Sequence, residues 1–567
     1  MITETRTCQN CKTSFTIEPE DFEFYAKIKV PPPTFCPRCR FQRRLMFRNE
    51  RVLYRRMCDL CKKSIITVHD PKKRRIVYCS PCWWSDKWDA LEFGVEYDPQ
   101  KNFFEQFRKL QEKIPVMDLV NSYTTLESSE YVNHAGHLKN CYLIFNADYC
   151  ENVCYASGVT YVKDSLDLFS VGANSEFCYE DIMSGKSSRL FFSEDCFECL
   201  DVYFSKDLRG CSHCFGCANL RNKQYHIFNR PYSRDIYEEK LKELRLDSYV
   251  AVEDLKKRVD EFWRTMPHRA YHGLMNVSYS GDYLYGCKNV RASYICDSVE
   301  DAKYCQFLTL PSAKDLYDLT EWGNGVEMVV DSVTVGEGAR DIRFCSGAWA
   351  NVLDNEYSMF AVSSSHVFGC LSVHKKEYCI LNKQYAPNEY RALRDRIVAD
   401  MNTRPYIDAK GRVWKYGDFF PYDLSFFDYN ESTAAQYFTL TKDEALAMGF
   451  RWRDENLQEA AITMHASEIP DNMHDISNSI VNEIIKCVAC AKPYRIIPQE
   501  LELLRKMDVP APRKCPNCRH MGRIARLNPP RLWNRMCAKC GKKIMTSYAP
   551  DLPEIVYCEQ CYQAEVV

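Results

Sequence analysis

A chain of 567 residues, 46% hydrophobic and 27% charged, is long enough for several domains with cores of their own and is not composed like a disordered polymer. Its net charge of −2 hides an asymmetry: residues 1–85 carry 18 Lys and Arg against 8 Asp and Glu, residues 486–567 carry 15 against 7, and the middle is therefore strongly acidic. No apolar leader and no run of about 18 apolar residues is present, so a membrane span is excluded and a cytoplasmic protein is expected, with its 31 cysteines kept reduced for metal or core rather than disulfides.

The first element in chain order is a cysteine module, residues 1–85. It holds four Cys-x2-Cys pairs, Cys8/Cys11, Cys36/Cys39, Cys58/Cys61 and Cys79/Cys82. Two thiolates separated by two residues reach one tetrahedral ion from a single tight turn, and two such turns close a four-sulfur site with no open position for catalysis. Consecutive pairs are expected to share an ion; a cross-braced pairing is the alternative. Arg38, Arg40, Arg43, Arg44 and Arg48 run through this module beside Phe41 and Phe47. Planar guanidinium forks suit phosphates and stack on bases, so a nucleic-acid-binding face is expected, with RNA favoured over sequence-specific duplex DNA. The alternative is that the basic face docks on an acidic protein or on the chain's own acidic middle.

Residues 86–137 read as a helical linker, with an amphipathic helix expected near Asn102 to Glu112. From 138 to 233, short aromatic or β-branched clusters recur every 11 to 13 residues between Asn, Asp, Gly and Ser, which predicts a β-repeat array. A β-solenoid with about two strands per coil fits that spacing, because a 12-residue step is short for a full coil around a filled core; a sandwich or meander is the alternative. Residues 234–270 are a helical segment, 271–386 a second and less regular array, and 387–485 a helix and linker in which Thr441-Lys-Asp-Glu444 reads as a capping box closed by Gly449. The arrays are copies: Phe215-Gly216-Cys217 and Tyr225 match Phe368-Gly369-Cys370 and Tyr378, and Asp167-Leu168 matches Asp318-Leu319.

The arrays hold the other 15 cysteines. Cys196/Cys199 and Cys211/Cys214/Cys217 have metal-like spacing, but they coincide with the strand clusters and read as core thiols. His213 and His366 are equivalent and lack an identifiable catalytic partner, so a structural role is expected. Asn146, Asp148, Asp164, Asp167 and Asp201 are expected in turns and polar ladders. No phosphate-binding glycine loop, nucleophile elbow or His-Glu-x-x-His motif is present.

The last element, residues 486–567, repeats the first. Every ligand cysteine recurs 479 positions on without a gap, as Cys487, Cys490, Cys515, Cys518, Cys537, Cys540, Cys558 and Cys561, and Arg40 and Arg44 recur as Arg519 and Arg523, with Arg526 nearby. These three complete the expected nucleic-acid-binding set. Sixteen thiolates at four per site predict about four Zn2+ per chain.

The segment from Thr7-Cys8 through Phe22 and Tyr25 to Cys36-Pro-Arg-Cys39 resembles the family described as a probable zinc-binding (zinc-ribbon) domain, over about 40 residues at each end; the C-terminal copy has Leu501 and Leu504 in place of Phe22 and Tyr25. The whole layout resembles a group of uncharacterised bacterial zinc-ribbon proteins sometimes labelled CaiB/BaiF, a CoA-transferase family. Such an enzyme needs long α/β units, where this chain offers cysteine knuckles and short strands. The expected architecture is mainly β: tandem β-solenoid-like arrays with intervening helices, flanked by four-cysteine zinc modules. The expected function is a non-enzymatic zinc-binding scaffold for nucleic acid or a ribonucleoprotein. A protein-protein interaction scaffold is the first alternative, and a glycan-binding or glycan-active solenoid the second.

Overall fold

The computed structural model describes residues 3–454 and 461–566; residues 455–460 of the second linker and the extreme ends of both modules lie outside the described residues. Strands hold 34% of the residues and helices 25%, so the chain is mainly β. It divides into two compact units, one made of residues 1–119, 271–454 and 529–532, the other of 120–270, 455–528 and 533–567. The N-terminal module therefore belongs with the second array, and the C-terminal module with the first.

In the first array, ten strands form one sheet in sequence order. Ser188 pairs with Leu200, Leu200 with Ser212 and Ser212 with Gln224, all parallel. Bridges between the strands keep the same offset, as in Ile182 to Glu194 and Glu194 to Lys206. The chain thus returns to hydrogen-bond to itself every 12 residues or so, and the 11-to-13-residue step is a whole parallel repeat, not half of one as the spacing had suggested.

Backbone conformation explains how so short a repeat closes. From His134 to Asn152, every third residue (His134, His137, Asn140, Leu143, Asn146, Tyr149, Asn152) has φ near +50°. A left-handed residue bends the chain sharply, at a cost of about 1 kcal/mol or more for a side chain other than glycine. Burial on the intervening positions opposes that cost. Val132, Ala135, Leu138, Cys141, Ile144, Ala147, Cys150 and Val153 also recur every third residue, and all belong to one buried cluster. Cys196, Cys199, Cys211, Cys214 and Cys217 lie in that same cluster, each thiol within reach of a carbonyl such as Glu194 O or Phe215 O. Their Cys-x2-Cys spacing is the three-residue period of inward positions.

The second array follows the same plan with slips. Its 14-stranded sheet pairs Lys288 with Glu300, then Val299 with Ala313 and Ala313 with Val326. The offset wanders from 11, as in Val277 with Lys288, to 14, which is why its sequence spacing looks irregular. Helices cover the arrays where expected. Phe103–Lys113 is capped by Asn102, whose Oδ1 accepts from Phe104 N at 2.9 Å, and Phe103 packs edge-on against Phe368. The 234–270 segment is two helices, Arg234–Glu243 and Tyr249–Arg264; Val252, Leu255, Val259 and Trp263 of the latter join the array's aromatic face of Phe192, Phe204 and Phe215. Thr441 caps the helix Lys442–Ala447 with a complete capping box, and Gly449, at φ +80°, ends the turn that follows. No helix among the described residues is long and apolar enough to cross a membrane.

Candidate metal centres

Each module contains two four-cysteine groups: Cys8, Cys11, Cys36 and Cys39, then Cys58, Cys61, Cys79 and Cys82, with Cys487, Cys490, Cys515, Cys518 and Cys537, Cys540, Cys558, Cys561 as the copies. In every group the sulfurs lie within 4.8 Å of one another, and each could hold a metal ion. Consecutive pairs share a group, so the cross-braced alternative is not the arrangement found.

Local structure sets the ligands. The first pair of each group sits at a tight turn that reverses a short β-hairpin, such as Tyr54–Met57 with Ser64–Thr67. The residue after the second cysteine is left-handed in all four: Lys12, Lys62, Ala491 and Gly541, with φ of 60°, 60°, 59° and 71°. That twist aims its N–H back at the carbonyl of the first cysteine, as Lys62 N to Cys58 O at 3.0 Å and Gly541 N to Cys537 O at 2.9 Å. The second pair opens a helix, with Cys36, Cys79 and Cys515 at the N-caps of Pro37–Met46, Ser80–Trp83 and Pro516–Ala525. Backbone N–H groups then point at the sulfurs: Cys79 N to Cys58 Sγ at 3.3 Å, Cys515 N to Cys487 Sγ and Cys558 N to Cys537 Sγ at 3.2 Å.

The spacing fits a tetrahedral ion. With metal–sulfur bonds of about 2.3 Å, as for zinc, the edge of the tetrahedron is about 3.8 Å. Sulfur separations of 3.6 Å for Cys11–Cys36, 3.8 Å for Cys61–Cys79, 3.7 Å for Cys490–Cys515 and 3.8 Å for Cys540–Cys558 match it, and a disulfide, at about 2 Å, is not formed. Electrostatics point the same way. Burial works against the Cys487 and Cys537 thiolates, yet the backbone donors outweigh it and pull each pKa down to about 6. Cys515 is pushed up to about 11, by burial and then by the charge on its neighbours. A cation held among the four sulfurs would stabilise their thiolate forms.

The arginines expected to meet nucleic acid are placed otherwise. Arg40, Arg43, Arg44, Arg48, Arg519 and Arg523 are each 5% exposed or less. Arg40 pairs with Asp318 at 2.7 Å; Arg44 reaches Asp318 at 3.2 Å and Asp331 at 2.9 Å; Arg43 pairs with Asp331 at 2.6 Å; Arg48 pairs with Glu50 at 2.8 Å and donates to Thr334 Oγ1 at 2.6 Å. In the other unit Arg519 pairs with Asp167 at 3.2 Å and Glu500 at 2.8 Å, and Arg523 with Asp167 at 2.7 Å. These six guanidiniums face carboxylates of the array or of their own module, and as placed they are not offered to a ligand. Arg38 is exposed, and Arg526, a third exposed at its side chain, pairs with Glu194.

The duplications make this contact one motif used twice. Arg40 and Arg519 are copies, as are Arg44 and Arg523, and Asp318 and Asp167. Asp167, expected in a turn or ladder, is instead the fully buried counter-ion. Of the other ladder candidates, Asp164 accepts from Asn152, which accepts from Asn140, at 2.9 and 2.8 Å. Asp148 meets His137 Nδ1 at 2.9 Å, and Asp201 pairs with Arg189 and lies 3.4 Å from His213. His213 and His366 hold equivalent places, stacked on Tyr225 and Tyr378. Burial pushes Asp318 up against two arginines, while Asp331, equally buried, is held below the usual range by Arg43 and Arg44.

No family model and no curated protein matches the chain. Among solved structures it is similar to a crystal structure described as a "putative acetyltransferase" from Desulfovibrio desulfuricans G20, at 8% identity over 51% of this chain and 86% of that one, with a TM-score of 0.10. A likeness that slight supports neither a fold nor an activity, and no match carries the CaiB/BaiF resemblance further.

Proposed function

We propose that this chain is a non-enzymatic zinc-binding scaffold in which each two-zinc module is locked onto a β-solenoid. The observation that carries this reading is the repeated contact, Arg40 and Arg44 on Asp318 and Arg519 and Arg523 on Asp167. It favours the basic face docking on the chain's own acidic middle. The 12-residue parallel offset with inward side chains every third residue supports the solenoid. Closed four-thiolate groups with sulfur spacing near that of a zinc tetrahedron support structural zinc. In this reading the metal holds the Cys36 and Cys515 turns, and these turns aim the arginine helices at the arrays. Freshly reduced protein should contain about four zinc ions per chain. Stripping them with a chelator should expose the arrays to protease; full occupancy with unchanged protease resistance after stripping would reject the locking role.

A second reading is nucleic-acid binding through what the ion pairs leave exposed. Arg38 and the hairpin tips of the second metal group of each module, Lys62 and Lys63 with Lys542 and Lys543, are exposed cations. Replacing these four lysines by Ala should weaken RNA binding and flatten its dependence on salt, since each lost phosphate contact lowers the slope by about 0.7 on a single strand. An unchanged slope would assign the tips to no phosphate.

A further inference from the structure

The two copies of the module differ at several positions of their contact with the arrays, and one of these differences opens a space. Arg43 of the first corresponds to Gly522 of the second. In the N-terminal module the Arg43 guanidinium bonds Asp331 and lies over the rings of Phe35 and Trp414, at 4.5 and 5.2 Å. Glycine leaves the corresponding space open. A Cβ at Gly522 would meet nothing within 4 Å, and Gly522 lines a cavity of about 200 Å³ between the module, the first array and the helix Tyr249–Arg264.

The acidic side of that cavity is already matched. Glu180 follows Asp167 by one parallel repeat, as Asp331 follows Asp318, and so stands where Asp331 stands in the other array. Lys256 supplies the cation that Arg43 supplies there, 3.1 Å from Glu180 and 3.0 Å from Glu253. The basic side is matched only in part. Arg519 and Arg523 stand at its wall with their charges already met by Asp167 and Glu500. Arg513, which also lines it, gives one nitrogen to Ile469 O and stacks over the Tyr249 ring at 4.1 Å. Among the described residues neither it nor Lys514 has a carboxylate partner.

We propose that this cavity binds a phosphate group carried by a small molecule, with Arg513 and Lys514 as its ligands. An arginine fork and a lysine suit a dianionic phosphate, and the aromatic walls, Tyr249 and Phe192, offer a surface to a ring or chain attached to it. The volume admits a phosphomonoester more readily than a polymer backbone.

Calorimetric titration of the metal-loaded full chain with inorganic phosphate and with adenosine 5′-monophosphate tests the site. Binding of either supports it; tighter binding of the ester assigns it to a phosphorylated small molecule, and equal binding to free phosphate. Gly522→Arg restores the residue of the other module, should fill the cavity, and should abolish binding without loss of metal. Lys514→Ala, at an exposed side chain, should weaken binding about tenfold, as expected for one charge-assisted contact. Absence of heat from both anions at millimolar concentration, or unchanged affinity in Lys514→Ala and Gly522→Arg, would overturn the proposal.

Discussion

A guanidinium in a sequence advertises an anion without saying whose. The arginines at 40, 44, 519 and 523 were legible as a conserved pair within the chain's own duplication, and so was the match of Asp167 with Asp318. What could not be read was that the two sets meet, because the partners lie more than 270 residues apart and nothing local links them. Once buried, such a group is costly to disturb: removing one member of a buried ion pair leaves its partner charged and desolvated, for about 3–5 kcal/mol. Asp318→Asn removes the carboxylate paired with Arg40 and one of the two paired with Arg44, and is expected to lower stability by about that amount. Asp315, which pairs with the half-exposed Lys27 three residues earlier in the array, is the control; its Asn variant is expected to change stability by about 1 kcal/mol or less. Denaturant unfolding of the two variants distinguishes a structural lock from a surface ion pair.

At the scale of elements, local rules were read well wherever the chain's own neighbours decide the outcome. The capping box at Thr441, the helix after Asn102 and the four cysteine turns all depend on residues within a few positions of one another. The spacing of the arrays predicts short strands, about two to a coil, whereas the chain pairs with itself after a single 12-residue step. Strand statistics assume extended residues, and from such residues a closed 12-residue turn cannot be built. Left-handed residues at every third position remove that obstacle, and several of them, among them Leu143, Tyr149 and Phe204, are types that sequence reading would not place there. The usable signal was the inward series of Val, Ala, Leu, Cys and Ile at a period of three, which is neither the helical nor the strand period. It also accounts for the cysteine-rich interior of the arrays: a thiol is small enough for that interior and can donate to a carbonyl there, as Cys150 does to Asp148 O at 3.3 Å.

For the whole molecule, connectivity and contact run crosswise. The N-terminal module is followed in sequence by the first array, yet it packs with the second, and the C-terminal module, which follows the second, packs with the first. Duplication makes this possible, since equivalent arrays offer equivalent aspartates. The two contacts differ in that Arg43 has Asp331 to neutralise in one unit, whereas Gly522 leaves Glu180 to Lys256 in the other. The metal groups should report on these pairings separately. Cys36→Ser opens the inner metal group of the N-terminal module and frees the helix that carries Arg40, Arg43 and Arg44. Amide exchange is then expected to rise in the strands around Asp318 and Asp331, residues 313–336, while the neighbouring-in-sequence array at 188–227 keeps its protection. Cys515→Ser is expected to do the reverse, loosening the strands around Asp167 and sparing those around Asp318. If Cys36→Ser instead loosened the first array, the crosswise pairing would be wrong, and with it the inference that each module's zinc secures the array from the opposite half of the chain.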